Sequence, residues 1–144
     1  MPAMSMVVER PRPEPSAESA PYWQALREHR LIVQACRRCG RQRHYPRALC
    51  AACFCLDYDW VELGGRGSIH SWTVTHHPFH FAFKRCVPYI TVTVDCAPGV
   101  RVMAPLAAAA TTPLALGLAV VLDYEDVSAD LTLPFFRLAA QEGA

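Results

Sequence analysis

Between residues 88 and 96 the chain alternates without a break. Ile90, Val92, Val94 and Cys96 fall on one side, Tyr89, Thr91, Thr93 and Asp95 on the other. Strict alternation is the pattern of a strand with one buried face. Runs rich in β-branched and aromatic residues recur at 68–76, 100–103, 116–124 and 131–138. Gly64-Gly65-Arg66-Gly67, Pro98-Gly99 and Thr111-Thr112-Pro113 separate them as turns. Five strands in succession predict an antiparallel barrel, and the five-stranded OB-fold is the economical way to close one. Upstream the period changes. Tyr22, Trp23, Leu26 and Arg30 recur at spacings of three and four behind Ser19, a plausible N-cap, and Pro21. This predicts a helix to about residue 29. Residues 31–35 read as a further strand. Pro2, Pro11, Pro13 and Pro15, mixed with charge, predict an extended, disordered arm. The expected organisation is mainly β: a tail over 1–18, a helix over 19–31, a small module over 32–62 and the barrel over 63–140.

The small module carries the strongest chemical signal. Cys36 and Cys39 form one C-x-x-C, and Cys50 and Cys53 form a second, ten residues on. Each spacing lets two thiolates converge while the backbone turns, and two such turns supply the four tetrahedral ligands of Zn²⁺. Gly40 can take the positive φ that a tight knuckle needs. Two disulfides or a redox C-x-x-C are the competing reading, but redox motifs rarely come as facing pairs. A closed four-cysteine site has no position for water or substrate, so the expected role is structural. Cys55 is a further thiol that could compete for the metal.

Charge changes the picture locally rather than globally. Over 144 residues, 52% of them apolar, the net charge is only +1, so no overall field drives the chain onto nucleic acid. The module itself is basic: Arg37, Arg38, Arg41, Arg43 and Arg47, with His44, face no acid between residues 36 and 53. They could meet phosphate or an acidic protein, or simply form a solvated face. Tyr22 and Trp23 suit either packing within the chain or docking on another subunit, since aromatic anchors carry much interface energy. Residues 102–122 carry no charge, a length that could span a bilayer, but Pro105, Pro113 and Gly117 make strand, turn, strand the better reading. No secretory signal is visible at the start, and free thiols suit a reducing cytoplasm.

Taken together, Tyr22-Trp23-Gln24-Ala25-Leu26-Arg27-Glu28, the double knuckle, Tyr45-Pro46-Arg47, Gly65-Arg66-Gly67, Ser71-Trp72-Thr73, Val87-Pro88-Tyr89 and Leu133-Pro134-Phe135 carry a resemblance. Over residues 20–138 the chain resembles a bacterial and archaeal family with an N-terminal helix, a rubredoxin-like zinc ribbon and a C-terminal OB domain. The resemblance implies an accessory subunit in acyl-CoA metabolism, with lipid or steroid substrates, paired with a thiolase-fold enzyme or an enoyl-CoA hydratase. It implies that the OB domain holds acyl-CoA, that helix and ribbon meet the partner, and that Cys36, Cys39, Cys50 and Cys53 bind zinc. Two departures stand out: Phe54 replaces the glycine usual after the fourth ligand, and Ala107 to Ala110 replace the usual residues after the third barrel strand.

Two other classes compete. Zinc ribbons and OB-folds also bind single-stranded nucleic acid. Here only Lys84, Arg85, Arg101 and Arg137 follow Thr73, against six acids, whereas a groove tracking phosphates should be basic. An enzyme could use His76, His77 and His80, but no neighbouring carboxylate orients them. The expectation is a chain that catalyses nothing alone.

Overall fold

The structure, a computed structural model, describes residues 9–140. Pro21 in the first turn and apolar residues on one side set the one α-helix among the described residues, α1 (Ala20–Arg27), which buries Tyr22, Ala25 and Leu26. Ser19 occupies the N-cap position, but its hydroxyl accepts from the N–H of Ser16 (2.9 Å) instead of capping the helix. The helix stops two residues earlier than its pattern suggests because His29 turns left-handed at φ 55°.

The next strand, β1 (Leu31–Cys36), lies between β2 (Gln42–Arg43) and β3 (Tyr58–Leu63), antiparallel to both. The third of these, acidic and only half-buried, does not stand out in the sequence. Five longer strands follow: β4 (Arg66–Thr75), β5 (Tyr89–Ala97), β6 (Val100–Leu106), β7 (Ala119–Ser128) and β8 (Leu131–Leu138). They close in the order β4-β5-β6-β8-β7, with β7 pairing back onto β4. Every pair is antiparallel except β6 with β8, which meet in parallel at Leu106 and Phe136. The predicted OB barrel is therefore closed. Residues 102–122, the stretch long enough for a bilayer, end β6, turn and begin β7; among the described residues no helix is long and apolar enough to cross a membrane.

Alternation decides the core. Ile90, Val92 and Val94 of β5 face Val100, Val102 and Ala104 of β6 and Phe136 of β8, all buried. Cys96, on the same face, packs at the edge of this core, and burial pushes its thiol up to about 11. Tyr22 and Leu26 of α1 and Leu31 and Val33 of β1 belong to the same apolar cluster. Helix, ribbon and barrel thus share one core.

The expected free arm is partly held. Residues 9–15 form no helix or strand, yet Arg10 pairs with Glu125 (2.7 Å) and Arg12 with Asp130 (2.8 Å). Such exposed pairs contribute little each. The rest of that expectation, residues 1–8, lies outside the described residues.

Gly67 is a strand residue, not part of the expected turn: it sits where β4 passes from β7 to β5. A Cβ there would lie 2.5 Å from Val94 Cγ1 and 2.6 Å from the Asp95 carbonyl oxygen. Gly67→Ala must therefore push two strands apart at the seam of the barrel. It should lower unfolding free energy by about 1–3 kcal/mol, read as an earlier urea midpoint. An unchanged midpoint would mean the seam has slack.

Candidate functional site

Each knuckle is built the same way. The N–H of Gly40 donates to the Cys36 carbonyl, and the N–H of Phe54 to that of Cys50, both at 2.9 Å. The residue after each second cysteine is left-handed, Gly40 at φ 73° and Phe54 at φ 61°. Where glycine would be unstrained, Phe54 holds the turn and is itself 71% exposed. The two turns bring the sulfurs of Cys36, Cys39, Cys50 and Cys53 within 4.8 Å of one another. Cys36 to Cys53 is 3.5 Å and Cys39 to Cys50 is 3.7 Å. Tetrahedral zinc with Zn–S bonds of about 2.3 Å sets sulfur–sulfur edges of about 3.8 Å, so the donor set fits the ion. Bound there, zinc would act as a structural cross-link.

Electrostatics point the same way. The backbone N–H groups of Cys39 and Arg38 pull the Cys36 thiol down to about 6. Those of Cys53 and Ala52 lower Cys50 as well. Cys53 receives the N–H of Cys55, but burial and the three neighbouring sulfurs push it up to about 12. Four clustered sulfurs cannot all ionise unless a cation compensates them. Cys55 stands outside the cluster; its sulfur accepts from the N–H of Asp57 (3.4 Å).

The basic face is smaller than the sequence suggests. Arg43 is only 7% exposed and points inward. Its Nε donates to Gln34 Oε1 (2.8 Å) and its Nη2 to the Arg47 carbonyl (3.0 Å), while the guanidinium lies 5.3 Å from the centre of the Tyr58 ring. Gln34 Oε1 also accepts the N–H of Arg47 (2.9 Å), so this pair ties β1 and β2 to the loop leading into the second knuckle. The cross-strand register Gln34–Arg43 brings them together. Gln34 inside the apolar run 31–36 was the one sequence signal for it. Arg37 is engaged by Asp59 (2.8 Å). Arg38, Arg41 and Arg47 remain exposed, with no acidic partner among the described residues.

Tyr22 and Trp23 face the ribbon, where they meet two residues not singled out as a pair, His44 and Tyr45. The indole N–H of Trp23 donates to Tyr45 Oη (2.9 Å), and Tyr22 packs against both rings of the ribbon loop. Burial, then the charge of Arg47, lowers His44 to about 4, so it is neutral and no part of a cationic face. Burial likewise raises Tyr22 above its usual range. Together with the outer faces of β6 and β8, these aromatics wall a mostly apolar cleft of about 620 Å³.

His76 and His77 lie exposed on the β4–β5 loop. His77 meets Phe79 edge-on, and His80 Nδ1 accepts the N–H of Ala82 (3.1 Å) to cap a single 3-10 turn. Among the described residues, the cysteine cluster is the one group of three or more metal-ligating side chains that converges. The histidine loop joins neither that centre nor the cleft.

Known proteins match on both halves. The family described as ChsH2, rubredoxin-like zinc ribbon domain, matches residues 23–56, and ChsH2, C-terminal OB-fold domain, matches residues 60–125. A solved chain of an Ltp2-ChsH2(DUF35) aldolase is 36% identical, with a TM-score of 0.78, over 90% of this chain and 100% of that one. A DUF35-family structure from Sulfolobus solfataricus, 15% identical with a TM-score of 0.62, shares the fold. Two curated relatives are longer. A probable enoyl-CoA hydratase alpha subunit of Thermomonospora curvata is 37% identical over 92% of this chain and 41% of its own length. The 3-oxo-4,17-pregnadiene-20-carboxyl-CoA hydratase alpha subunit of Mycobacterium tuberculosis is 30% identical over 80% of this chain and 36% of its own. The chain thus spans about two fifths of these relatives.

Structural zinc is worth about 10–16 kcal/mol in small fingers. Cys36→Ser should therefore release the metal and expose the amides of β1–β3 to exchange, while β4–β8 keep their strand signal. One tightly held zinc per variant chain would overturn the ligand assignment. Arg43→Ala should destabilise the ribbon by about 1–3 kcal/mol by removing a buried donor to Gln34 Oε1 and the donor to the Arg47 carbonyl. Arg38→Ala should stay within about 0.5 kcal/mol of the parent by thermal unfolding.

Proposed function

Because the chain belongs to the ChsH2 (DUF35) family of zinc-ribbon and OB-fold proteins, we propose that it is a non-catalytic, zinc-containing subunit that binds acyl-CoA and supports a thiolase-fold enzyme acting on lipid or steroid thioesters. The observation that carries this reading is the match, over 90% of this chain, to a whole chain of the Ltp2-ChsH2(DUF35) aldolase. The hydratase alpha subunits among the relatives support an enoyl-CoA hydratase as a second kind of partner. In this reading zinc is a clasp, not a reagent: with four sulfurs on the ion, no coordination position is left for substrate. Catalytic groups come from the partner. This chain contributes a fixed surface of helix, ribbon and barrel, with Arg38, Arg41 and Arg47 available for the phosphates of coenzyme A or carboxylates of the partner. The same reading places the chain in the cytoplasm, where acyl-CoA is made and used.

The distribution of charge works against nucleic acid as the ligand. Lys84 and Arg85 sit together on the β4–β5 loop, Arg101 and Arg137 are paired with Asp95 and Asp123, and Asp123, Glu125, Asp126 and Asp130 gather on β7 and its turn.

Co-expression with a thiolase-fold protein encoded beside this chain tests the proposal. A complex of fixed stoichiometry on size-exclusion chromatography is expected, with acyl-CoA turnover that requires both chains. Turnover by the isolated chain, or tight single-strand binding that falls steeply with salt, would overturn it.

A further inference from the structure

The histidine loop displays apolar surface instead of hiding it. Residues 76–88 join β4 to β5 and include Phe79, Phe81, Phe83 and Val87, yet none of residues 76–88 is buried. Phe79 is 83% exposed and Phe81 is 59% exposed. Local contacts shape the loop without covering these residues. Phe79 meets His77 edge-on, Phe81 stacks on His80 with ring centroids 4.4 Å apart, and Phe83 lies 6.2 Å from Tyr89. The 3-10 turn Phe81–Phe83 is capped by His80. Aromatic residues presented to water by a defined turn carry surface whose burial is favourable, and such surface marks a contact.

Charge on this loop has one sign. Lys84 and Arg85 follow the phenylalanines directly, both are exposed, and neither forms an ion pair among the described residues. Between Glu62 and Asp95 the sequence holds no acid. The adjacent loop agrees. Leu106, at the end of β6, pairs with Ile90, so residues 107–113 leave the barrel beside the histidine loop, and they carry no charge. The acids sit at the other end. Asp95 pairs with Ser68, far from the loop on both β4 and β5. Asp126 and Asp130 sit at the β7–β8 turn, and because β8 runs parallel to β6 that turn also lies away from the loop.

From this arrangement we infer that the β4–β5 loop docks the chain on a membrane surface that carries anionic lipid. Phenylalanine rings that enter the boundary between headgroups and acyl chains leave water, while Lys84 and Arg85 meet lipid phosphates beside them. A protein partner matches the loop less well. Protein hot spots seat aromatic residues among contacts that exclude water, and protein surfaces pair both signs of charge. Here the rings stand on an exposed turn with cations alone. Two rings and two cations give a reversible hold on one leaflet. The inference goes beyond the accessory role proposed above and does not depend on it.

Sedimentation of the full, zinc-loaded chain with vesicles is the test. Saturable binding to phosphatidylcholine mixed with phosphatidylglycerol is expected, about tenfold tighter than to phosphatidylcholine alone. Phe79→Ser, a change at an exposed position, should weaken that binding about tenfold with zinc content and thermal midpoint unchanged. Lys84→Glu combined with Arg85→Glu should abolish the preference for anionic lipid, whereas Arg38→Glu on the ribbon should keep it. In Phe79→Trp, vesicles should shift the added tryptophan emission to the blue. The inference is overturned by absent vesicle binding, by equal binding in Phe79→Ser, or by an anionic preference lost in Arg38→Glu and kept in the Lys84, Arg85 double variant. A Phe79→Ser chain that still binds vesicles but no longer holds a thiolase-fold protein would also overturn it, by assigning the loop to that partner.

Discussion

Four sulfurs gathered into a space less than 5 Å across are the constraint on which this molecule turns. Two backbone turns, each ending in a left-handed residue, aim them; an ion is needed to let them stay together as thiolates. The sheet they cap is small, and β2 is only two residues long. Without a cross-link such a ribbon has little apolar surface with which to offset its conformational entropy. What makes the clasp matter beyond itself is continuity. Strand β1 carries Cys36 at one end, while its Leu31 and Val33 pack into the core shared with the barrel. Fixing the sulfurs fixes the ribbon, and fixing the ribbon positions the aromatic junction against α1.

Much of this was readable in the chain. Strict alternation in residues 88–96 located a buried-face strand because one residue's slip would turn valines to solvent. The cysteine spacing named the ligands because two C-x-x-C turns leave few other arrangements. The resemblance supplied the order of the parts, while the parallel β6–β8 contact departs from the antiparallel barrel expected and is encoded by no local pattern. What stayed hidden were features set by tertiary register. Arg43 reads as one more surface cation until β2 pairs with β1 and brings it against Gln34. Strand β3 carries exposed Asp59 and Glu62 three residues apart, on opposite faces, and this break in alternation masked its pairing with β1. Gly67 looked like turn chemistry beside Gly64 and Gly65, whereas it is glycine because two strands crowd its α-carbon.

The cleft was the least legible element, since its walls come from segments far apart in sequence. Tyr22 and Trp23 were visible as an aromatic pair, with packing and docking equally open. The structure has them do the first and leaves room for the second: Tyr22 is sealed inside, while Trp23 reaches the ribbon and still lines the opening.

One wall of that opening, His44 and Tyr45, lies between β2 and the second pair of cysteines. Its position therefore depends on the metal. Whatever settles against Tyr45 must favour the metal-loaded form, and by reciprocity the ion and that occupant tighten each other's hold by one common factor. Zinc supply would then govern more than folding: it would set how firmly the surface grips its guest.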